Sequence, residues 1–207
     1  MLNILVINHH DSFVFNLIQL LRETGRCCIT VVIPEEIQDI DLSEYQGILL
    51  SPGPGLPQET PQLDEVIRRT KNTHSILGIC LGFQALALHF GGKMQRLEFP
   101  RHGHATNIHI PNPNHPLLYH IPEGSIVGRY HSWIIDKDSL PPCLQPIAWG
   151  TEDRLLMAFA HRTLPIFGLQ YHPESIITEH GAQYINNWLD IVAVTKACVS
   201  NRYPACP

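Results

Sequence analysis

A chain of 207 residues with a formal net charge of −5 is long enough for one large domain with a buried core and short for two. Its 14 Lys and Arg residues form no stripe that would track phosphates, which argues against a nucleic-acid partner, and no stretch approaches the ~20 apolar residues of a membrane span. The opening run, Met1 to Asn8, lacks the basic start of a signal peptide, and six irregularly spaced cysteines fit reduced thiols better than a disulfide framework, so a cytoplasmic protein is expected.

Leu2 to Ile7 reads as a buried strand. Phe13, Leu17, Leu20 and Leu21 then recur at helical spacing, with Asp11 or Ser12 as N-cap and Gly25 as the stop. Strands are predicted over Ile29 to Ile33, Gly47 to Leu50 and Ser75 to Ile79, with a helix over Gln62 to Arg69 before the last of these. A further helix covers Ala85 to Phe90 and stops at Gly91-Gly92. From Lys93 to Ala160 the pattern changes to short β-like runs, Ser125 to Tyr130, Leu144 to Trp149 and Leu155 to Ala160, separated by Pro, Gly, Asn and His. Ile166 to Tyr171 is another buried strand, and His180 to Val194 reads as the closing helix. The pattern predicts an α/β fold: an open, mostly parallel central sheet flanked by helices, with an antiparallel β extension. The domain is expected to span residues 1–195, leaving 196–207, which show no periodicity, as an irregular tail.

Gly78-Ile79-Cys80-Leu81-Gly82 has the spacing of a nucleophile elbow, a sharp strand-to-helix turn that lifts a reactive atom clear of the sheet. A sulfur at a helix N-terminus is favoured as thiolate, and the N–H of Leu81 would face an oxyanion formed at an attacked carbonyl. A thiol nucleophile needs a base and a group to orient it. Gln170-Tyr171-His172-Pro173-Glu174-Ser175 offers both: the i, i+2 spacing puts His172 and Glu174 on one side of an extended segment, which Pro173 stiffens. Ser51-Pro52-Gly53-Pro54-Gly55 follows a strand at the sheet end where ligands bind, and its glycines let backbone N–H groups approach a ligand. The bland alternatives are a buried structural cysteine, a surface His-Pro-Glu turn and an ordinary loop. The three elements together favour catalysis.

With these residues in view, the chain resembles a class I, triad-type glutamine amidotransferase, in particular the small subunit of anthranilate synthase or aminodeoxychorismate synthase. The resemblance runs from Asn8 to about Trp188. It rests on Asp11-Ser12-Phe13 followed by Asn16-Leu17, on Ser51 to Gly55, on Arg129-Tyr130-His131-Ser132, and on His172 to Ser175 running into Thr178-Glu179-His180-Gly181. It implies that Cys80 attacks the side-chain amide of L-glutamine, that His172 moves protons and that Glu174 orients His172. Gly53, Gly55 and Leu81 would line the oxyanion and substrate site, and Gln84, His131 and Ser132 would hold the polar ends of the glutamine. It also implies a chorismate-binding large subunit that receives the ammonia, and no cofactor in this chain. The competing readings are a free-standing γ-glutamyl hydrolase or peptidase and a non-catalytic regulatory subunit.

Three positions depart from the family pattern. Phe83 stands where His is common, Arg101-His102-Gly103-His104 replaces Met-His-Gly-Lys, and Asn8-His9-His10-Asp11 replaces Asp-Asn-x-Asp. His102, His104 and His109 read as loop or interface histidines rather than a metal site, because no Cys or carboxylate completes a ligand set.

Overall fold

The computed structural model describes the backbone of residues 1–202 and side chains through residue 195. In chain order the elements are β1 (Leu2–Ile7), α1 (Val14–Glu23), β2 (Cys27–Val32), β3 (Gly47–Leu50), α2 (Pro61–Thr70), β4 (Ser75–Ile79), α3 (Leu81–His89), β5 (Met94–His109), β6 (Ile126–Ile135), β7 (Leu144–Gly150), β8 (Leu156–His161), β9 (Ile166–Leu169) and α4 (Gly181–Arg202).

The strands form one sheet in the order β2-β1-β3-β4-β9-β8-β7-β5-β6. The first five are parallel, and every pairing beyond β9 is antiparallel. The expected antiparallel extension is therefore present, and it is as extensive as the parallel half.

Alternation along β1 divides the interior. Ile4 and Val6 join the core beneath α1 and α4 with Leu17, Leu21 and Trp188, while Leu5 and Ile7 join the core beneath α2 and α3 with Val66, Ile67 and Leu86. β3 and β4 are buried at every position, the pattern of strands covered on both faces. The helices need only one apolar side each: α1 buries Val14, Leu17, Ile18 and Leu21.

Three expectations change. The helix after the elbow begins at Leu81, four residues before its apolar periodicity is visible, because the elbow itself starts the first turn. β5 is a single strand of 16 residues where the sequence shows only broken runs. Its register against β6 shifts between Arg96 and Arg101 and again between His102 and His104, and these irregularities accommodate Pro100 and Gly103, the latter at φ 69°. Finally, α4 continues through Arg202, so residues 196–202 extend the helix rather than forming an irregular tail. No Gly or Pro interrupts the sequence before Pro204, so a helix already held by Tyr184, Trp188 and Val192 in the core has no reason to stop at Thr195. The remainder of the predicted tail, 203–207, lies outside the described residues.

Among the described residues no helix is long and apolar enough to cross a membrane.

Candidate active site

The parallel pairing of β4 with β9 builds the site. Ile79 lies opposite Leu169, and the Cys80 N–H donates to the Leu169 carbonyl at 2.8 Å. Both chains leave the sheet at this level, so Cys80 emerges beside Gln170, and His172 follows two residues later and lines a cavity with Cys80. Residues about 90 positions apart in sequence meet because the two strands are neighbours.

Cys80 adopts φ 50°, ψ −95°, a conformation a side-chain-bearing residue rarely takes and one that costs roughly 1–3 kcal/mol. The flanking glycines make the turn possible. A Cβ on Gly78 would lie 2.5 Å from the Gly82 carbonyl carbon, and one on Gly82 would run into the Leu50 carbonyl and sit 2.7 Å from the Leu50 Cβ. Elbow, helix α3 and the end of β3 therefore interlock through the absence of side chains. The first intrahelical bond of α3 runs from the Gln84 N–H to the Cys80 carbonyl at 3.0 Å, which leaves the N–H groups of the first turn without intrahelical acceptors.

The loop after β3 is clamped against this turn. The Ser51 hydroxyl donates to the Pro52 carbonyl at 2.6 Å and accepts from the His9 backbone N–H at 3.0 Å, with His9 Nδ1 a further 3.1 Å contact. Burial lowers the His9 pKa to about 4, so its ring is neutral at pH 7. A Cβ on Gly53 would fall 2.5 Å from the His9 Cβ and 2.7 Å from Leu81 Cδ2, so only glycine lets the loop backbone lie this close to the elbow.

His172 Nδ1 and Glu174 Oε1 are 2.7 Å apart, and both side chains are almost completely buried. The His172 backbone is held at both ends: its N–H donates to the Gly128 carbonyl at 3.0 Å, and its carbonyl accepts the Thr178 hydroxyl at 2.5 Å. Phe13 and Tyr130 pack edge-on against the imidazole, with ring centroids 5.4 and 5.0 Å away. Among the described residues His172 Nε2 has no hydrogen-bond partner, and both His172 and Cys80 line one cavity of about 390 Å³. Burial acts to lower the His172 pKa, but the negative charge of a Cys80 thiolate and then the Glu174 carboxylate outweigh it and raise the pKa to about 10. The site favours an imidazolium beside the sulfur.

Cys80 also lines a second cavity of about 270 Å³, and here Gly53, Gly55, Leu81, Gln84, His131 and Ser132 converge. All six positions expected to line the substrate site therefore share one cavity with Cys80. One of them differs in its orientation from expectation. Both ring nitrogens of His131 are engaged inside the protein: Nε2 accepts from Arg129 Nε at 3.1 Å, and Nδ1 lies 3.0 Å from the Trp133 carbonyl. Its ring is thus committed to the scaffold rather than free to hold a glutamine, and burial, aided by the charge of Arg129, pushes its pKa down to about 3. Arg129 is buried and paired with Asp153 at 2.6 Å.

Three residues outside the expected substrate-site set also face this region. His102 and Tyr130 line both cavities and Trp133 lines the smaller one. Tyr130 and His102 stood inside quoted motifs, but only the β5–β6 pairing brings them over Cys80. Phe83 points away into the core, its ring 4.8 Å from Phe159. The histidines of β5 diverge. His104 contacts Thr106, His109 contacts Glu123, and His102 lies 3.5 Å from the Ser132 hydroxyl.

The model of the family described as glutamine amidotransferase class-I matches residues 5–192. The chain belongs to this family. Among its relatives, the aminodeoxychorismate synthase component 2 of Escherichia coli is 38% identical over 190 residues, covering 90% of this chain and 98% of that protein. The anthranilate synthase component 2 of Mycobacterium tuberculosis is 37% identical over 206 residues, covering 94% of this chain and 84% of the relative. A solved structure from Thermoplasma acidophilum, provisionally assigned to GMP synthase, superposes with a TM-score of 0.85 at 26% identity, covering 97% of this chain and 98% of that one. The family match thus extends over nearly all of the described chain, with Cys80 inside it.

Proposed function

We propose that this amidotransferase is the glutaminase component of a synthase that aminates chorismate, with Cys80 as nucleophile, His172 as acid and base, and Glu174 as the group that orients His172. The observation that carries the reading is Cys80 standing in a strained elbow, with His172–Glu174 on one side and a cavity of glutamine-compatible lining on the other. Relatives named as components of anthranilate synthase and of aminodeoxychorismate synthase, matched over 84% and 98% of their lengths, support chorismate as the acceptor.

The chemistry follows from the geometry. L-Glutamine occupies the smaller cavity with its side-chain amide at the sulfur. The thiolate attacks the carbonyl carbon, and the oxyanion that forms turns toward the N–H groups of Leu81 and the Gly53 loop. His172 gives its Nε2 proton to the departing nitrogen, which leaves as ammonia, and a γ-glutamyl thioester remains on Cys80. Water then loses a proton to His172 as its oxygen attacks the thioester carbon. The carbon–sulfur bond breaks, glutamate leaves, and thiolate and imidazolium are restored. Ser132 and Gln84 hold the polar ends of the glutamine, and Gly55 shapes the cavity wall.

The ammonia passes to a chorismate-binding large subunit, giving anthranilate or 4-amino-4-deoxychorismate. The chain works in the cytoplasm, in keeping with the free thiols at Cys27, Cys28, Cys80 and Cys143.

The test is to mix the chain with each type of large subunit, chorismate and glutamine, and to identify the product. Glutamine-dependent formation of anthranilate or aminodeoxychorismate is expected, together with a glutaminase rate that rises when chorismate and the large subunit are present. Full glutaminase activity of the isolated chain, indifferent to both, would overturn the partner assignment.

A further inference from the structure

One buried side chain beside the sulfur has no part in the chemistry above. Gln170 is fully buried, and its Nε2 donates to Cys80 Sγ at 3.7 Å. Its orientation is dictated by a chain of partners that ends on a backbone carbonyl. The Trp133 carbonyl can only accept, so the Gln84 amide atom 3.0 Å from it is the nitrogen. The same Gln84 Nε2 donates its second hydrogen to Gln170 Oε1 at 3.4 Å. Turning the Gln170 amide over would set two donors face to face, so its oxygen belongs to Gln84 and its N–H is left for the sulfur.

The far end of the chain is fixed as well. Arg129 has only donors, so His131 Nε2 must accept, which puts the ring proton on Nδ1 and directs it to the same Trp133 carbonyl. Every polarity from Arg129 to Cys80 is thereby determined.

From this we infer that Gln170 is a thiolate-stabilising residue of the site, one that holds an oriented amide N–H on Cys80 Sγ. The inference rests on the reading of Cys80 as the nucleophile. An N–H donor favours the charged form of the sulfur over the thiol, and a buried site strengthens that preference. Position 170 suits the role because it is the first residue beyond β9, next to the rung that joins Cys80 to Leu169, and two residues before His172. Gln170 is thus a neutral donor that does not compete with His172 for the proton.

The test is the pH dependence of Cys80 alkylation by iodoacetamide, with modification located by mass spectrometry, in the full chain and in Gln170→Met. Methionine keeps the length and removes the donor. The other titratable groups around the two cavities, His10, Asp11, His102, Tyr130, His131 and His172, are present in both proteins, so a displaced midpoint reports position 170. The expected result is a midpoint about one pH unit higher in Gln170→Met, and therefore alkylation about tenfold slower below the midpoint. Gln170→Glu, which retains the acceptor for Gln84 and presents a negative oxygen to the sulfur, is expected to move the midpoint further. It also serves if the methionine variant fails to fold. In the unaltered protein, the Gln170 side-chain amide resonances should titrate with the midpoint of alkylation.

Glutamine-dependent turnover that survives Cys80→Ala would sink the nucleophile reading itself. An alkylation midpoint that neither variant moves, or amide resonances indifferent to the titration, would overturn the role of Gln170 and leave that reading standing.

Discussion

The Cys80 N–H and the Leu169 carbonyl are joined by a 2.8 Å hydrogen bond, the last rung between β4 and β9. Cys80, Gln170, His172 and Glu174 all lie at or just beyond that rung. On one side the chain turns through a strained elbow into α3, and on the other it runs through Gln170 to His172 and Glu174.

The division of roles between His172 and Glu174 predicts unequal losses. Removing the proton carrier by His172→Ala is expected to lower glutamine-dependent turnover by about 10³-fold or more. Glu174→Ala leaves the imidazole in place and removes only its 2.7 Å partner, so its loss should be smaller. Steady-state kinetics with the large subunit present distinguishes the two, and equal losses would contradict an orienting role. Cys80→Ala should abolish glutamine-dependent synthesis while the partner still uses free ammonia. Failure with both nitrogen sources would mark Cys80 as structural.

Much of this was legible in the sequence because the signals are local. The elbow announces itself by two glycines two residues from a cysteine, and β3 and β4 by short apolar runs. The neighbours β4 and β9 were each readable, but their adjacency was not, since a pairing across about 90 residues leaves no local trace. Hence Gln170 was visible only as part of a motif, and its contact with the sulfur emerged from register. The same limit hid the commitment of His131: its ring partners, Arg129 and the Trp133 carbonyl, lie at i−2 and i+2, but only a side chain turned into the protein uses both. β5 escaped for a different reason, because Pro100 and Gly103 resemble loop punctuation and the strand absorbs them as register shifts.

The glycines at the elbow should tolerate no side chain. Gly82→Ala would drive a methyl group into the Leu50 backbone, which belongs to a buried strand and cannot swing aside as the tip of a flexible side chain would. Overpacking of this kind costs about 1–3 kcal/mol, and the value here should lie toward the upper end. Urea denaturation is expected to show the lost stability, and kinetics should show a fall in turnover larger than the remaining folded fraction explains, because the shift displaces Cys80. Wild-type stability in Gly82→Ala would mean that the contact with Leu50 is looser than it stands.

Two buried histidines predict acid sensitivity. His9 has its pKa lowered to about 4 and His131 to about 3, burial being the main cause in both. In the unfolded chain each takes up a proton near pH 6.5, while the native state does not until far lower pH. Below about pH 6.5 the unfolded state therefore binds more protons, and stability falls as pH falls. Each such group contributes a slope of about 1.4 kcal/mol per pH unit, down to its native pKa. Carboxylates also act in this range, so the useful quantity is a difference. His131→Gln is expected to show a shallower loss than the wild type between pH 6.5 and 4, by about the slope of one proton, in urea titrations at each pH. Parallel curves would place a proton on native His131.

The Arg129–Asp153 pair predicts a structural effect that reaches the site. Arg129 is buried, and its Nη1 meets Asp153 Oδ2 at 2.6 Å and the Thr106 hydroxyl at 3.3 Å, while its Nε orients His131. Asp153→Ala would leave a guanidinium in the interior without its counter-charge. Breaking a buried pair from one side costs about 3–5 kcal/mol, and because Asp153 is partly open to solvent the lower end applies here. Arg129→Met removes the charge along with the need for a partner, so it should destabilise the fold less than Asp153→Ala does. It should nonetheless raise the KM for glutamine, because His131 loses the donor that fixes its tautomer and the Trp133 carbonyl loses a constraint on its position beside Gln84. Thermal melting and glutaminase kinetics on the two variants separate the effects. If Arg129→Met were the less stable of the two, the guanidinium would be held by its remaining contacts rather than by the carboxylate.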